Sequence, residues 1–555
     1  MRLSLLAALA AAVPGTAAVG PKRFNTLPPV PKDDIPRDGV FRVSFKAAAR
    51  INIYNGTFQQ LIDHDNPSLG TFTQRYWYNA DFYTAPGSPV VLLAPTESSG
   101  ELARGYVTNA TLPGAFAQTN GGAAIVLEHR YFGTSSPYQD LTTQTLQYLT
   151  VDQAIRDVVR FARHVELPFD PSGSSRPDKA PWILTGCSYS GALAAWIARL
   201  APGTFWAYHC SSAVVQAVGD FWQYFAPVEE AMPRNCSADV KRISAHLQRE
   251  LTTRPEGARR RLKDSFGLGE LQDDDFVFAT MYPLGWWQQQ QFYSGYGGLF
   301  QMCDWIEGFW PGSGKTQPVG AKGVGLSPAL ENFAKYFREV FLSGEGGMSL
   351  TRRGPKSLSS ARLGLLTMAA CAKASSVSCY DSHNVQNYAY TNTSAGNSDR
   401  AWEWMLCNEA LEFWQDGSPH STVGFPPPLL NVEYFRRQCP LYFPSVNNYV
   451  VGMEKGVRAE DVNRRTGGWD SVGPKRLIWV NGEWDPWRPA TVSSKYRPGG
   501  QFRGDKDRPV FIVPQGSHCN DYVLENGEVN EGVKKIIDAE LAVMKRWVRK
   551  FYDRR

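Results

Sequence analysis

The chain reads as an α/β fold on three observations. Short, wholly apolar runs of strand length alternate with segments of helical periodicity, and one such run enters a glycine-flanked turn that leads straight into an alanine-rich stretch. Buried strands alternating with amphipathic helices predict a mostly parallel sheet covered on both faces.

The elements follow in chain order. Ser88–Ala94 (SPVVLLA), Ala123–Glu128 (AAIVLE) and Trp182–Thr185 (WILT) read as buried strands. Between the last two, 150–165 has helical periodicity at Val151, Ala154, Ile155, Val158 and Val159, opened by Thr150 with Gln153 three residues on, a capping-box pattern. Ala192–Leu200 reads as a second helix. From Phe221 to Cys439 the pattern changes to aromatic and helical segments broken by glycine- and proline-rich loops at Pro311–Gly325 and Ser418–Pro428. Arg476–Val480 (RLIWV) and Pro509–Val513 (PVFIV) then resume the strands, and 533–548 closes the chain as an amphipathic helix. The expected organisation is an α/β domain in two parts, 50–220 and 441–555, around a mainly helical insertion at 221–440. The first residues place Met1-Arg2 before apolar Leu3–Val13 and small Pro14–Ala18, the order of a secretory signal, so 1–19 is expected to be a leader.

The 555 residues carry 58 basic and 53 acidic side chains, a net charge of +5, which is too balanced for a phosphate-driven nucleic-acid binder. Arg259-Arg260-Arg261 and the Lys545–Arg555 tail read as solvated helix faces. Beyond the leader no stretch reaches the roughly 18 apolar residues of a membrane span. Export makes Asn55, Asn109, Asn235 and Asn392, each opening an N-x-S/T triplet, candidate glycan sites in loops. Nine cysteines become disulfide candidates, with one left over. Proximity along the chain suggests Cys371 with Cys379, Cys407 with Cys439 and Cys236 with Cys303. Their spacing is unlike paired C-x-x-C zinc sites, so neither a metal nor a cofactor is expected.

Thr185-Gly186-Cys187-Ser188-Tyr189-Ser190-Gly191 lies between a strand and a helix, the context of a nucleophile elbow. The residues two before and two after the serine approach closely and must be small; here they are Gly186 and Ser190. The helix N-terminus and the Tyr189 amide then face an oxyanion. Such short strings also occur at ordinary helix entries, so the reading depends on partners. A serine hydroxyl needs a histidine base oriented by a carboxylate, in the chain order Ser, acid, His. His383, His420 and His518 lie late in the chain, and His518 directly follows PVFIV. Asp485, in NGEWDPW, directly follows RLIWV, with Pro486 holding its backbone extended. Open α/β sheets collect their active groups at such strand ends.

These residues resemble the serine peptidase family of lysosomal Pro-X carboxypeptidase and dipeptidyl-peptidase II, the S28 type, and are most similar in appearance to fungal acid prolyl endopeptidases. The resemblance runs through Gln60–His64 with Phe72–Tyr76, Glu128–Gly133, the Ser188 elbow, Trp404–Glu409, Asp485–Trp487 and His518, and includes GTFWAYH at Gly203–His209 and QCPLYFP at Gln438–Pro444. It implies an α/β-hydrolase fold with an inserted helical cap, cleavage after proline at acid pH, and Ser188, Asp485 and His518 as nucleophile, orienting acid and base. The sequence departs from the family at Cys187 and Ser190, where glycines are common. Pro95-Thr96-Glu97 stands where relatives have a glycine-rich turn that supplies the second oxyanion amide, assigned here to Glu97.

A proline ring fits a pocket of aromatic faces, worth roughly 1.5–3 kcal/mol of burial. Trp487 is the first candidate wall, followed by Trp404 and Tyr189, against ordinary core packing for each. Dipeptidyl-peptidase action needs a carboxylate for the substrate amine, and Glu97 and Glu409 are candidates unless they are ordinary hydrogen-bonded residues. The expected substrates are proline-containing peptides, met outside the cell or in a vacuolar or lysosomal compartment. Exopeptidase action as a Pro-X carboxypeptidase, which needs a cation for the substrate carboxylate, or as a dipeptidyl-peptidase is the first competing reading; an esterase or lipase on the same scaffold, or an inactive hydrolase used for adhesion, are the more distant ones.

Overall fold

The computed structural model describes Pro28 and residues 41–43, 51–342, 377–418 and 424–554. The expected leader, Cys371 and His420 lie outside the described residues.

The central strands are buried along their whole length, except the last, which is half-buried. These are β4 (Val90–Leu93), β5 (Ala123–Leu127), β6 (Trp182–Cys187), β7 (Ala207–Ser211), β10 (Leu477–Gly482) and β11 (Val510–Val513). Ahead of them come β1 (Phe41–Val43), β2 (Ile51–Leu61) and β3 (Thr71–Asn79). The nine strands form one sheet in the order β1-β2-β3-β5-β4-β6-β7-β10-β11. Pairing is antiparallel from β1 to β5 and parallel from there to β11. The order reverses beside β4, so the crevice outside the strand ends opens near β6.

Helices cover both faces: α1 (Leu112–Asn120), α2 (Val151–His164), α3 (Tyr189–Leu200) and, closing the chain, Glu531–Tyr552. Thr150 caps α2, its hydroxyl accepting from the Gln153 amide at 3.2 Å. The expected reciprocal half of the capping box is absent. Gln153 turns instead to Asp63 and to the His64 amide, tying the β2–β3 turn to the helix.

Between β8 (Val218–Asp220) and β10 the described chain is mainly helical. It includes Arg234–Thr253, Gly298–Ile306, Leu326–Tyr336 and Ser398–Cys407, with one short strand, β9 (Glu412–Trp414), paired parallel to β8. Disulfides Cys236–Cys303 and Cys407–Cys439 join residues of this region as proximity suggests. Cys379 is also disulfide-bonded, and Cys210 is free and buried. Two glycan candidates are not in loops: Asn55 lies within β2 and Asn235 in the first turn of a helix, because flanking residues there carry the periodicity of those elements. Asn109 lies in a turn before α1, and Asn392 is buried. No helix among the described residues is long and apolar enough to cross a membrane.

Candidate active site

Ser188 stands between β6 and α3 with φ 62° and ψ −129°, a left-handed backbone that a non-glycine residue adopts only under constraint. The constraint is visible. The Ser188 amide donates to Ser211 O at 3.0 Å, and its carbonyl accepts the first helical bond from Ala192 at 2.9 Å. A Cβ on Gly186 would lie 2.2 Å from Ser190 O, so only glycine fits there. Ser190 is tolerated where glycine is common because its hydroxyl is used. It donates to Cys187 O at 2.7 Å and accepts from Cys187 N at 2.9 Å, stitching the turn shut.

Asp485 and His518 sit just past β10 and β11. His518 Nδ1 donates to both carboxylate oxygens of Asp485, at 3.0 and 3.1 Å, and both side chains are buried. The Trp487 amide donates to the same carboxylate at 2.9 Å, fixing its plane. These bonds leave His518 Nε2 as the outward nitrogen, and it has no hydrogen-bond partner. The structure therefore brings the acid and the histidine together, while no hydrogen bond links Nε2 to Ser188. In unliganded enzymes such bonds are often long and tighten only around substrate.

One further disulfide is not legible in the sequence. Cys187–Cys519 joins the residue before Ser188 to the residue after His518, 332 positions apart. The segment Trp287–Gln291 of the helical region braces the same loops. Trp287 Nε1 donates to Trp484 O at 2.8 Å, the Ser517 hydroxyl donates to Trp287 O at 2.7 Å, and Asn520 Nδ2 donates to Gln290 O at 3.0 Å. Only tertiary contact reveals this support.

Trp487 is buried beside His518, their ring centroids 6.3 Å apart, with Phe221, Tyr224 and Phe413 packed around it. Its Nε1 donates to Gln288 Oε1 at 2.7 Å, which holds the ring in place. Trp404 is engaged elsewhere, donating to Leu149 O and packing edge-on against Phe443. The tryptophans against Tyr189 are Trp402 and Trp196. The Tyr189 ring is itself buried, with its hydroxyl 3.0 Å from His129 Nε2. Burial lowers the His129 imidazole to about 4, keeping it neutral, and pushes the Tyr189 phenol well above its usual range. Glu409 is already paired: its Oε2 accepts from the Val151 amide at the start of α2 and from Arg465. Glu97 lies in the loop after β4, beside the field of Tyr189. It is buried with neither oxygen hydrogen-bonded, and burial raises its carboxyl to about 8. Of the other late histidines, His383 bonds Asp274 at the surface.

A strand-turn-helix serine and a carboxylate–histidine pair on neighbouring ends of this sheet define an α/β hydrolase. The chain belongs to the serine carboxypeptidase S28 family, whose model matches residues 59–282 and 357–535, and is thereby a serine peptidase. It is 37% identical over 498 residues to serine protease vicPb of Bipolaris victoriae, covering 90% of this chain and 89% of that protein. It is 28% identical over 477 residues to a probable extracellular serine carboxypeptidase of Arthroderma benhamiae, covering 82% of this chain and 60% of that one. Among solved structures, the α/β hydrolase GrgF from Penicillium is 11% identical, covering 90% of this chain and 99% of that one, at a TM-score of 0.31.

Proposed function

We propose that the protein is a secreted, acid-active endopeptidase that cleaves after proline, with Ser188 as nucleophile, His518 as general base and Asp485 as its orienting acid. The observation that carries this reading is the His518 imidazole, gripped by Asp485 through Nδ1 and unpartnered at Nε2. Nε2 takes the Ser188 proton as Oγ attacks the scissile carbonyl, and the imidazolium formed is stabilised by Asp485. The same proton then passes to the leaving amine, and water resolves the acyl-enzyme by the reverse sequence. The Tyr189 amide, first in α3, and the Glu97 amide are the oxyanion donors in this scheme.

Preference for proline is supported by the Trp487 ring beside the base, held there by Phe221, Tyr224 and Phe413 packed around it. Endopeptidase action rests on the resemblance to fungal acid prolyl endopeptidases, and dipeptidyl-peptidase action is disfavoured by the state of the two acidic candidates for binding a substrate amine. Glu409 is taken by Arg465 and a backbone amide, and Glu97, with its carboxyl near 8, is neutral in acid and carries no charge to offer. Secretion and the acid optimum rest on the leader-like first residues and on the resemblance to fungal acid prolyl endopeptidases.

Peptides with an internal proline, blocked at both ends and incubated near pH 4–5, test the reading. Cleavage after proline is expected. Activity restricted to peptides with a free terminus would replace it with an exopeptidase, and turnover of acyl esters alone with an esterase.

A further inference from the structure

Three ionisable side chains meet inside the fold without a counter-charge. His209 lies on β7, Asp521 follows the base His518 by three residues, and Glu540 sits on the closing helix Glu531–Tyr552. All three are buried. His209 Nε2 stands 3.6 Å from Asp521 Oδ2 and 3.6 Å from Glu540 Oε2, beyond hydrogen-bond distance. His209 Nε2, Asp521 Oδ2 and both Glu540 oxygens have no hydrogen-bond partner. Among the described residues, no lysine or arginine pairs with either carboxylate. Two buried carboxyls without a counter-charge are costly as anions, so each must either hold a proton or share a cation.

We propose that His209, Asp521 and Glu540 bind one divalent metal ion of the zinc class, which pins the closing helix to the loop that carries the catalytic histidine. Donors 2.0–2.2 Å from such an ion stand about 3.3–3.6 Å apart at tetrahedral angles, which matches the spacing of Nε2 from both carboxylates. A neutral imidazole with two carboxylates supplies three donors and balances a dication. The remaining atoms are held as metal ligands usually are. His209 Nδ1 is 3.1 Å from Thr185 Oγ1, and Asp521 Oδ1 accepts from the Ser211 hydroxyl at 2.5 Å. The rings of Phe116 and Tyr522 pack against the imidazole and shield the group from water.

A second histidine–carboxylate group makes the contrast. Asp274, Asp275 and His383 also lie close together, but Arg437 reaches into them, donating to Asp274 at 3.0 Å and lying 2.8 Å from His383 Nε2. A guanidinium fills that group, whereas nothing cationic fills the one around His209. The donors come from positions 209, 521 and 540, a spacing that no sequence motif discloses.

The test is metal content and thermal stability of the full-length protein. After dialysis against metal-free buffer, elemental analysis is expected to give close to one equivalent of a divalent transition metal per chain. Removal with a strong chelator lowers the melting temperature, and zinc chloride restores it. Glu540→Gln, which keeps the size of the side chain, is expected to lose the metal and the response to zinc, while Asp274→Asn keeps both. Metal retained at one equivalent in Glu540→Gln overturns the proposal. Should that variant not fold, the wild type decides alone. A wild-type protein that carries no metal, and whose melting temperature does not move with zinc, manganese or calcium, overturns it equally.

Discussion

Two of the histidine–carboxylate pairs in this fold differ in what is left over. At the antiparallel side of the sheet, His64 and Arg130 share Asp157. Arg130 donates through Nε and Nη2 to Asp157, through Nη1 to Ile62 O and Tyr148 O, and through Nη2 again to Leu61 O. That uses all the donors a guanidinium has. Beside it Glu128 accepts from Arg75, from the Ser99 and Ser135 hydroxyls and from the Gly100 and Ser135 amides. At the parallel side, Asp485 saturates one nitrogen of His518 and leaves the other open. A buried charge with every bond made holds a structure together; a buried imidazole with one bond withheld is ready for a proton.

The comparison predicts opposite phenotypes. Ser188→Ala is expected to lower kcat by about 10⁴-fold or more while leaving the urea midpoint unchanged, as read by peptide turnover and by denaturation of the same sample. A comparable loss of stability in that variant would blur the distinction between the two sites.

Asp157→Asn should do the reverse, costing about 3–5 kcal/mol in urea denaturation because it strands the Arg130 charge, while the folded fraction keeps its kcat. The effect has a pH signature. Burial pushes the Asp157 carboxyl up, but Arg130 and His64 more than offset this and hold it below its ordinary value. A depressed carboxyl stabilises fully above its unfolded value of about 4 and loses that contribution as pH falls through the folded value. The gap between wild type and variant is therefore expected to close only in strong acid, so the network survives the proposed working range.

The Cys187–Cys519 bridge ties the serine turn to the histidine loop, and its loss should be the smaller effect. Cys187→Gly with Cys519→Ala is expected to cost about 2–4 kcal/mol of stability. Activity should fall through kcat with KM held, by up to about 100-fold, the scale of a 1 Å misplacement. An unchanged kcat would assign the bridge to stability alone.

What the sequence disclosed was local. WILTGCSYSG carries strand, turn and helix entry within a few residues, and RLIWV and PVFIV are followed at once by the acid and the histidine, so these pieces were readable. The Asp–His pairing follows from the order of strands in the sheet, which the alternation of elements already constrains. Other features join remote positions and leave no local pattern. Gln153 satisfied a capping box on paper, yet its amide goes to Asp63 and His64, which only the β2–β3 turn brings near. Cys187 looked like a departure from the family's glycine and is half of a bridge. Glu409, open between a substrate-amine role and an ordinary hydrogen-bonded one, is spent on α2 and Arg465. Trp404 and Trp402 are two positions apart on one helix, and only packing shows that Trp402 faces Tyr189.

The central claim is that the open nitrogen of His518 activates Ser188. Labelling with a fluorophosphonate, followed by peptide mass spectrometry, tests it directly. The expected result is one adduct, on Ser188, whose formation is abolished in Ser188→Ala and slowed by orders of magnitude in His518→Ala. An adduct on any other residue, or labelling of Ser188 at an undiminished rate without His518, would contradict it.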